Sequence, residues 1–113
     1  MTHPIPHPNT HPNVQHCTSM AEVRQHIDAL DERIVALVAE RSGYVAQAAR
    51  IKPNAAAIYD QDRIDFIVSR VGAMAQAQGA PAAIAQAAYR ALITASIAFE
   101  QSEFARLRPE ELA

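Results

Sequence analysis

The chain has one cysteine, one lysine, three glycines, six aromatic residues and no tryptophan among its 113 residues, and each scarcity excludes something. A single thiol, Cys17, cannot close an intramolecular disulfide or build a multi-cysteine metal centre, and it suits a reducing compartment. So few glycines leave no glycine-rich phosphate loop, and no run of alternating or β-branched residues reads as a strand. Charge gives no help to a polyanionic partner: ten Lys and Arg residues against twelve Asp and Glu leave a net −2, with no basic run. Nucleic acid and anionic membrane surfaces are therefore not expected partners. No stretch is read as long and apolar enough to span a bilayer, and no charged-then-hydrophobic signal layout opens the chain, so a cytoplasmic location is expected.

What is present is helical. Residues 1–18 carry His3-Pro4, His7-Pro8 and His11-Pro12 on a four-residue beat, with almost nothing apolar to bury, and are expected to form a disordered leader. Its histidines, with His16, support no more than adventitious metal capture, because the prolines prevent a helix from presenting them together. Met20, where the ordered pattern begins, is an alternative start. Ser19-Met20-Ala21-Glu22 is a capping-box pattern. Beyond it Val23, Ile27, Leu30, Ile34, Leu37, Val38, Val45, Ala48 and Ile51 recur at three-and-four spacing, which predicts one helix over about 19–52 that Pro53 terminates. At 1.5 Å per residue it is on the order of 50 Å long, too long for a small globule to cover. It needs a partner chain.

Asp60, Gln61 and Asp62 suit the start of a second helix with Ile64, Ile67, Val68, Val71, Met74 and Ala75 on one face and Gly79 at its end. Pro81 opens a third helix whose apolar face reads Ile84, Ala88, Leu92, Ala95 and Phe99, and Pro109 closes it. The predicted class is all-α, one long and two shorter helices in a domain over 19–108, followed by a tail over 109–113.

Three cations sit near or on the apolar stripe of the first helix: Arg24, Arg41 and Lys52, the chain's single lysine. Charge on a face that should be buried needs acidic partners or an anionic ligand. Arg41 and Lys52, eleven residues apart, project within about 20° of each other and lie about 16 Å apart along the axis. Arg24 lies a further 25 Å or so away and reaches the same ligand only across an antiparallel dimer. In the plainer reading each cation is structural: Arg24 pairs with Asp28, Arg41 with Glu40 or a passing acid, and Lys52 complements the helix dipole.

The run from Val23 to Arg41, with its I-D-A-L-D-E-R-I core at Ile27 to Ile34, resembles the opening helix of the all-helical chorismate mutase family, and Lys52 stands at the spacing of the family's lysine. Asp60-Gln61-Asp62-Arg63 resembles the family's D-x-x-R, and without a gap Ser96 and Glu100 fall on its next two binding positions. The resemblance covers roughly 19–108. It implies an intertwined homodimer with two equivalent sites, each completed by Arg24 of the other chain, that rearranges chorismate to prephenate with no metal, organic cofactor or covalent intermediate. Arg24 and Arg41 would bind the two substrate carboxylates, Arg63 would shape the site, and Lys52 would meet the charge developing on the ether oxygen. Tyr44 and Tyr59 border such a site or simply pack, while His26, Asp28 and Asp31 read as helix-surface residues. Arg106 and Arg108 suit the last-turn dipole of the third helix.

Two positions depart from the commonest family pattern. Ile64 stands where many members carry a glutamate for the substrate hydroxyl, and an apolar residue there, with a short loop after the lysine, resembles the related isochorismate-pyruvate lyases, which release salicylate and pyruvate. Glu100 stands where a glutamine is usual, and it must be protonated to donate a hydrogen bond to the ether oxygen. Activity is then expected to fall as pH rises through neutrality. If instead Glu100 faced solvent, Gln101 would turn inward. A third reading, from another class, is a non-catalytic helical dimer that binds a partner enzyme through its exposed helices.

Overall fold

The computed structural model describes residues 11–112, and among them the chain is all-α. Helix α1 runs Met20–Ile51, α2 runs Gln61–Ala77 and α3 runs Ala82–Leu107, with single turns of 3-10 helix at Ala55–Ala57 and Pro109–Leu112. Most of the expected leader lies outside the described residues. Its last part holds a turn in which Val14 N–H donates to the His11 carbonyl at 3.1 Å.

Helix ends follow the local chemistry. Ser19 caps α1 by accepting from the Glu22 N–H through Oγ at 3.2 Å. The reciprocal contact of the capping box is displaced by one residue: the Glu22 carboxylate accepts from Thr18 N–H and Thr18 Oγ rather than from the Ser19 N–H. Lys52 closes α1 with its N–H on the Ala48 carbonyl, and Pro53 prevents any continuation. Asp60 caps α2 by accepting from the Arg63 N–H at 3.0 Å. Gly79 ends that helix at φ 81, the left-handed conformation only glycine adopts without strain, while Ala80 N–H returns to the Ala75 carbonyl and Gly79 N–H to Gln76.

The chain divides into two units. The first comprises, among the described residues, 11–14 and the chain from Asp60 to Ala95, which holds α2 and the start of α3; the second comprises Gln15–Tyr59 and residues 96–112. In the first unit Val68, Val71, Gly72 and Ile93 are buried. Gln86 on α3 reaches α2, donating Nε2 to the Val68 carbonyl at 3.3 Å. It occupies the space a Cβ at residue 72 would need, since an added Cβ would lie 2.5 Å from Gln86 Nε2. Gly72→Ala should therefore forfeit the roughly 1 kcal/mol that alanine normally adds to a helix interior, because Gln86 must withdraw and lose its bond. Adding Gln86→Ala should recover that gain. Urea unfolding of the two variants checks both statements.

In the second unit Ala49, Ile58 and Phe104 form the buried core, and Ile97 packs against it. Phe104 is 1% exposed, and burying a ring of this size contributes about 1.5–3 kcal/mol. This corrects the predicted inner face of α3. Ile84 and Phe99 are exposed, and so are Ala88 and Ala95, with Leu92 half-buried; the inward row is Ile93, Ser96, Ile97, Glu100 and Phe104, turned by about one residue. Alanines at 82, 83, 85, 87, 88, 91, 95 and 98 make nearly every face of α3 apolar, so hydropathy alone does not select one. The same composition overturns the expectation about membrane-length segments: α3 is long and apolar enough, by length and mean hydropathy, to cross a bilayer. Its contacts with α1 in the second unit are those of a bundle helix.

The two halves of α1 differ sharply. From Val38 to Lys52 its residues at 38, 41, 42, 45, 46, 48, 49 and 52 are buried or half-buried. From Arg24 to Leu37 every residue is exposed, including Ile27, Leu30, Ile34 and Leu37, the apolar stripe the sequence predicted for burial.

Candidate active site

Polar contacts join α1 to α3 in the second unit. Arg41 donates from Nη1 to Ser96 Oγ at 3.1 Å in a half-buried setting. Lys52 Nζ lies 2.6 Å from Glu100 Oε2. Because 41 precedes 52 on α1 as 96 precedes 100 on α3, the two helices run in the same direction here.

Glu100 is the one buried charged side chain among the described residues, 7% exposed, and the Lys52 ammonium is its partner. The approach is an ion pair rather than a well-aligned hydrogen bond, and Oε2 has no other donor. Lys52 retains 29% of its side-chain exposure, so the ammonium is held by a buried acid yet still reachable from outside. The inward turn belongs to Glu100, since Gln101 is exposed. Burying a carboxylate is costly unless it is paired, and the Lys52 ammonium supplies that pairing.

Of the three cations, Lys52 meets an acidic partner on α3, as a structural cation would, and Arg24 makes no ion pair with Asp28. Arg24 stands exposed on the uncovered half of α1. Asp60, Arg63 and Ile64 belong to the first unit: Asp60 caps α2, Arg63 is exposed with its guanidinium 5.4 Å from the Phe66 ring centroid, and Ile64 is half-buried. Tyr44 and Tyr59 are exposed.

Other acidic residues do not compete as a site for a dicarboxylate. A shallow depression of about 430 Å³ on α1 is lined by Asp28, Asp31, Glu32 and Val35, whose three carboxylates repel such a ligand. At the end of α3 the hydrogen bond from Arg106 holds the Glu103 carboxyl below its ordinary range, and Glu103 raises Arg106 in turn. A depressed carboxyl stabilises above its unfolded range and loses that effect as pH falls through the lowered value. The pair is surface chemistry and touches neither Lys52 nor Arg41.

Sequence reasoning missed Arg108. It lies beyond the last turn of α3 rather than within it, and donates from Nη1 to the Lys52 carbonyl and from Nη2 to the Arg50 carbonyl, each at 2.6 Å. These contacts span 56 and 58 residues, and no local pattern signals them.

The family model for chorismate mutase type II matches residues 23–101. The chain belongs to the chorismate mutase type II family. The matched stretch includes Arg24, Arg41, Lys52, Asp60, Arg63, Ile64, Ser96 and Glu100 and leaves out Arg108. An isochorismate pyruvate lyase of Pseudomonas aeruginosa is 30% identical over 77 residues, covering 68% of this chain and 76% of that protein.

Proposed function

We propose that this protein is a chorismate mutase, converting chorismate to prephenate by a concerted pericyclic rearrangement. The observation that carries the reading is the Lys52 ammonium held 2.6 Å from a buried Glu100, on the same side of α1 as Arg41. Chorismate offers two carboxylates and an ether bridge. Guanidinium forks suit the carboxylates, and Ser96 orients one N–H of the Arg41 fork. As the C–O bond breaks, negative charge gathers on the ether oxygen, and an ammonium already in place stabilises it without reorganisation. Holding the flexible substrate in its chair-like conformer contributes the remainder. No metal, organic cofactor or protein nucleophile is required for such a step.

The reading includes a homodimer. Arg24 lies too far along α1 to serve its own chain's Lys52, and the exposed stripe Ile27, Leu30, Ile34 and Leu37 offers about 1.5–3 kcal/mol per residue if a second copy buries it. Antiparallel packing of two long helices would bring Arg24 of one chain to Arg41 and Lys52 of the other. The reading takes Asp60, Arg63 and Ile64 as substrate-binding on the likeness of Asp60-Gln61-Asp62-Arg63 to the family's D-x-x-R.

Glu100 bears on the same ammonium. As a carboxylate it competes with the ether oxygen for Lys52 and donates nothing, whereas an amide at this position donates a hydrogen bond. Glu100→Gln should therefore keep or raise kcat, read as chorismate loss; a loss of turnover in this variant would mean that the carboxylate itself serves the reaction.

A second reading, isochorismate to salicylate and pyruvate, is favoured by Ile64, which cannot hydrogen-bond the hydroxyl of chorismate, and by the likeness to the Pseudomonas aeruginosa lyase. The deciding experiment follows chorismate loss and, in parallel, salicylate and pyruvate release from isochorismate. Dominant prephenate formation supports the mutase; preferential salicylate release makes the protein a lyase. Silence on both substrates, with partner binding that survives Arg41→Ala, would favour the non-catalytic dimer.

A further inference from the structure

Helix α1 ends without the usual means of satisfying its last carbonyls. No glycine follows Lys52, and Pro53 has no N–H to turn back. The donors come instead from 56 residues away: the Arg108 guanidinium bridges the carbonyls of Lys52 and Arg50 with two 2.6 Å bonds. Two parallel N–H groups in a rigid fork suit two neighbouring acceptors, which a single ammonium could not match. The guanidinium is itself braced, lying 4.4 Å from the centroid of the buried Phe104 ring.

Glu100, Phe104 and Arg108 stand four residues apart, so one row of α3 and its continuation holds Lys52 at both ends: Glu100 takes the ammonium and Arg108 takes the backbone. A lysine side chain has four rotatable bonds, and its amine is only as well placed as the Cα from which it extends. The Lys52 backbone has left helical geometry, with ψ 140, so the helix alone no longer fixes it.

We propose that Arg108 is a positioning residue for Lys52: by clamping the end of α1 it fixes the origin of the lysine side chain, so that the ammonium meets the ether oxygen of the bound substrate. This rests on the chorismate-type reading of the site. Arg108 lies outside the stretch matched by the family model.

Lys52 is the single lysine, which gives a test with a direct readout. In protein labelled with ¹³C and ¹⁵N at lysine, one side-chain signal reports the environment of its Cε and Nζ. Arg108→Gln should move that signal toward the position of a solvent-exposed lysine and lower kcat by roughly 10- to 100-fold with a smaller change in KM, the size expected when a catalytic group is displaced by about 1 Å. Arg108→Lys, able to serve one carbonyl, should fall between. A merely structural Arg108 would lower the melting temperature and leave both the Lys52 signal and kcat at wild-type values, and that result would overturn the proposal. Should Arg108→Gln fail to fold by circular dichroism, Arg108→Lys decides on the same two readouts. If the wild type turns over neither chorismate nor isochorismate, the functional reading fails, while the Lys52 signal still decides whether Arg108 places the amine.

Discussion

Replacing Lys52 with alanine is expected to lower kcat by at least 10²- to 10³-fold, the usual consequence of removing one preorganised group that meets charge developing in a transition state. No other lysine exists to substitute for it. The same change leaves the Glu100 carboxylate, 7% exposed, without its partner. Breaking a fully buried pair from one side typically costs about 3–5 kcal/mol, but Lys52 keeps 29% of its side chain exposed and water screens the loss, so about 1–3 kcal/mol is expected. These two effects separate in a second variant. Lys52→Ala with Glu100→Gln removes the orphaned charge and should recover most of the stability in urea unfolding while recovering none of the turnover. If the double variant regained activity with stability, Lys52 would be a structural partner of Glu100 and the chemistry would lie elsewhere.

The Lys52–Glu100 contact also marks the boundary of what hydropathy can reveal. Helices α1 and α2 were legible because their punctuation is chemical: Ser19 and Asp60 carry oxygens that cap, Pro53 blocks a turn, and Gly79 takes a positive φ. The cations of α1 were legible because a charge on an apolar stripe violates the pattern. The inward face of α3 was not, since its residues are largely alanine and its face is chosen by what α1 presents. Ile97 and Phe104 go to Ala49 and Ile58, and Ser96 and Glu100 go to Arg41 and Lys52. An apolar-stripe argument favours Leu92 and Phe99 because it cannot credit polar residues that turn inward to meet polar partners. Glu100 and Ser96 were reached through the family spacing, and Arg108 through neither route.

The exposure of α1 between Arg24 and Leu37 leads to the sharpest test of the shared site. Leu37 is 63% exposed, and with Ile27, Leu30 and Ile34 it forms a stripe that a monomer would leave in water. In the proposed dimer each site takes Lys52 and Arg41 from one chain and Arg24 from the other, so Arg24→Ala and Lys52→Ala each disable both sites of their own homodimer. Mixing the two proteins under conditions that exchange subunits should restore activity that neither possesses alone. In a mixed dimer the chain bearing Arg24→Ala still supplies Lys52, and its partner still supplies Arg24, so one site is whole and the other lacks both groups. Random exchange makes about half of the dimers mixed, each with one working site of two, and turnover should approach about one quarter of the wild-type value per chain. Sites built within one chain would show no recovery at any mixing ratio, because no exchange returns the missing group to the same polypeptide. Ile34→Asp, by placing a charge in the stripe, should abolish the recovery together with the dimer, as read by sedimentation velocity on the same mixtures.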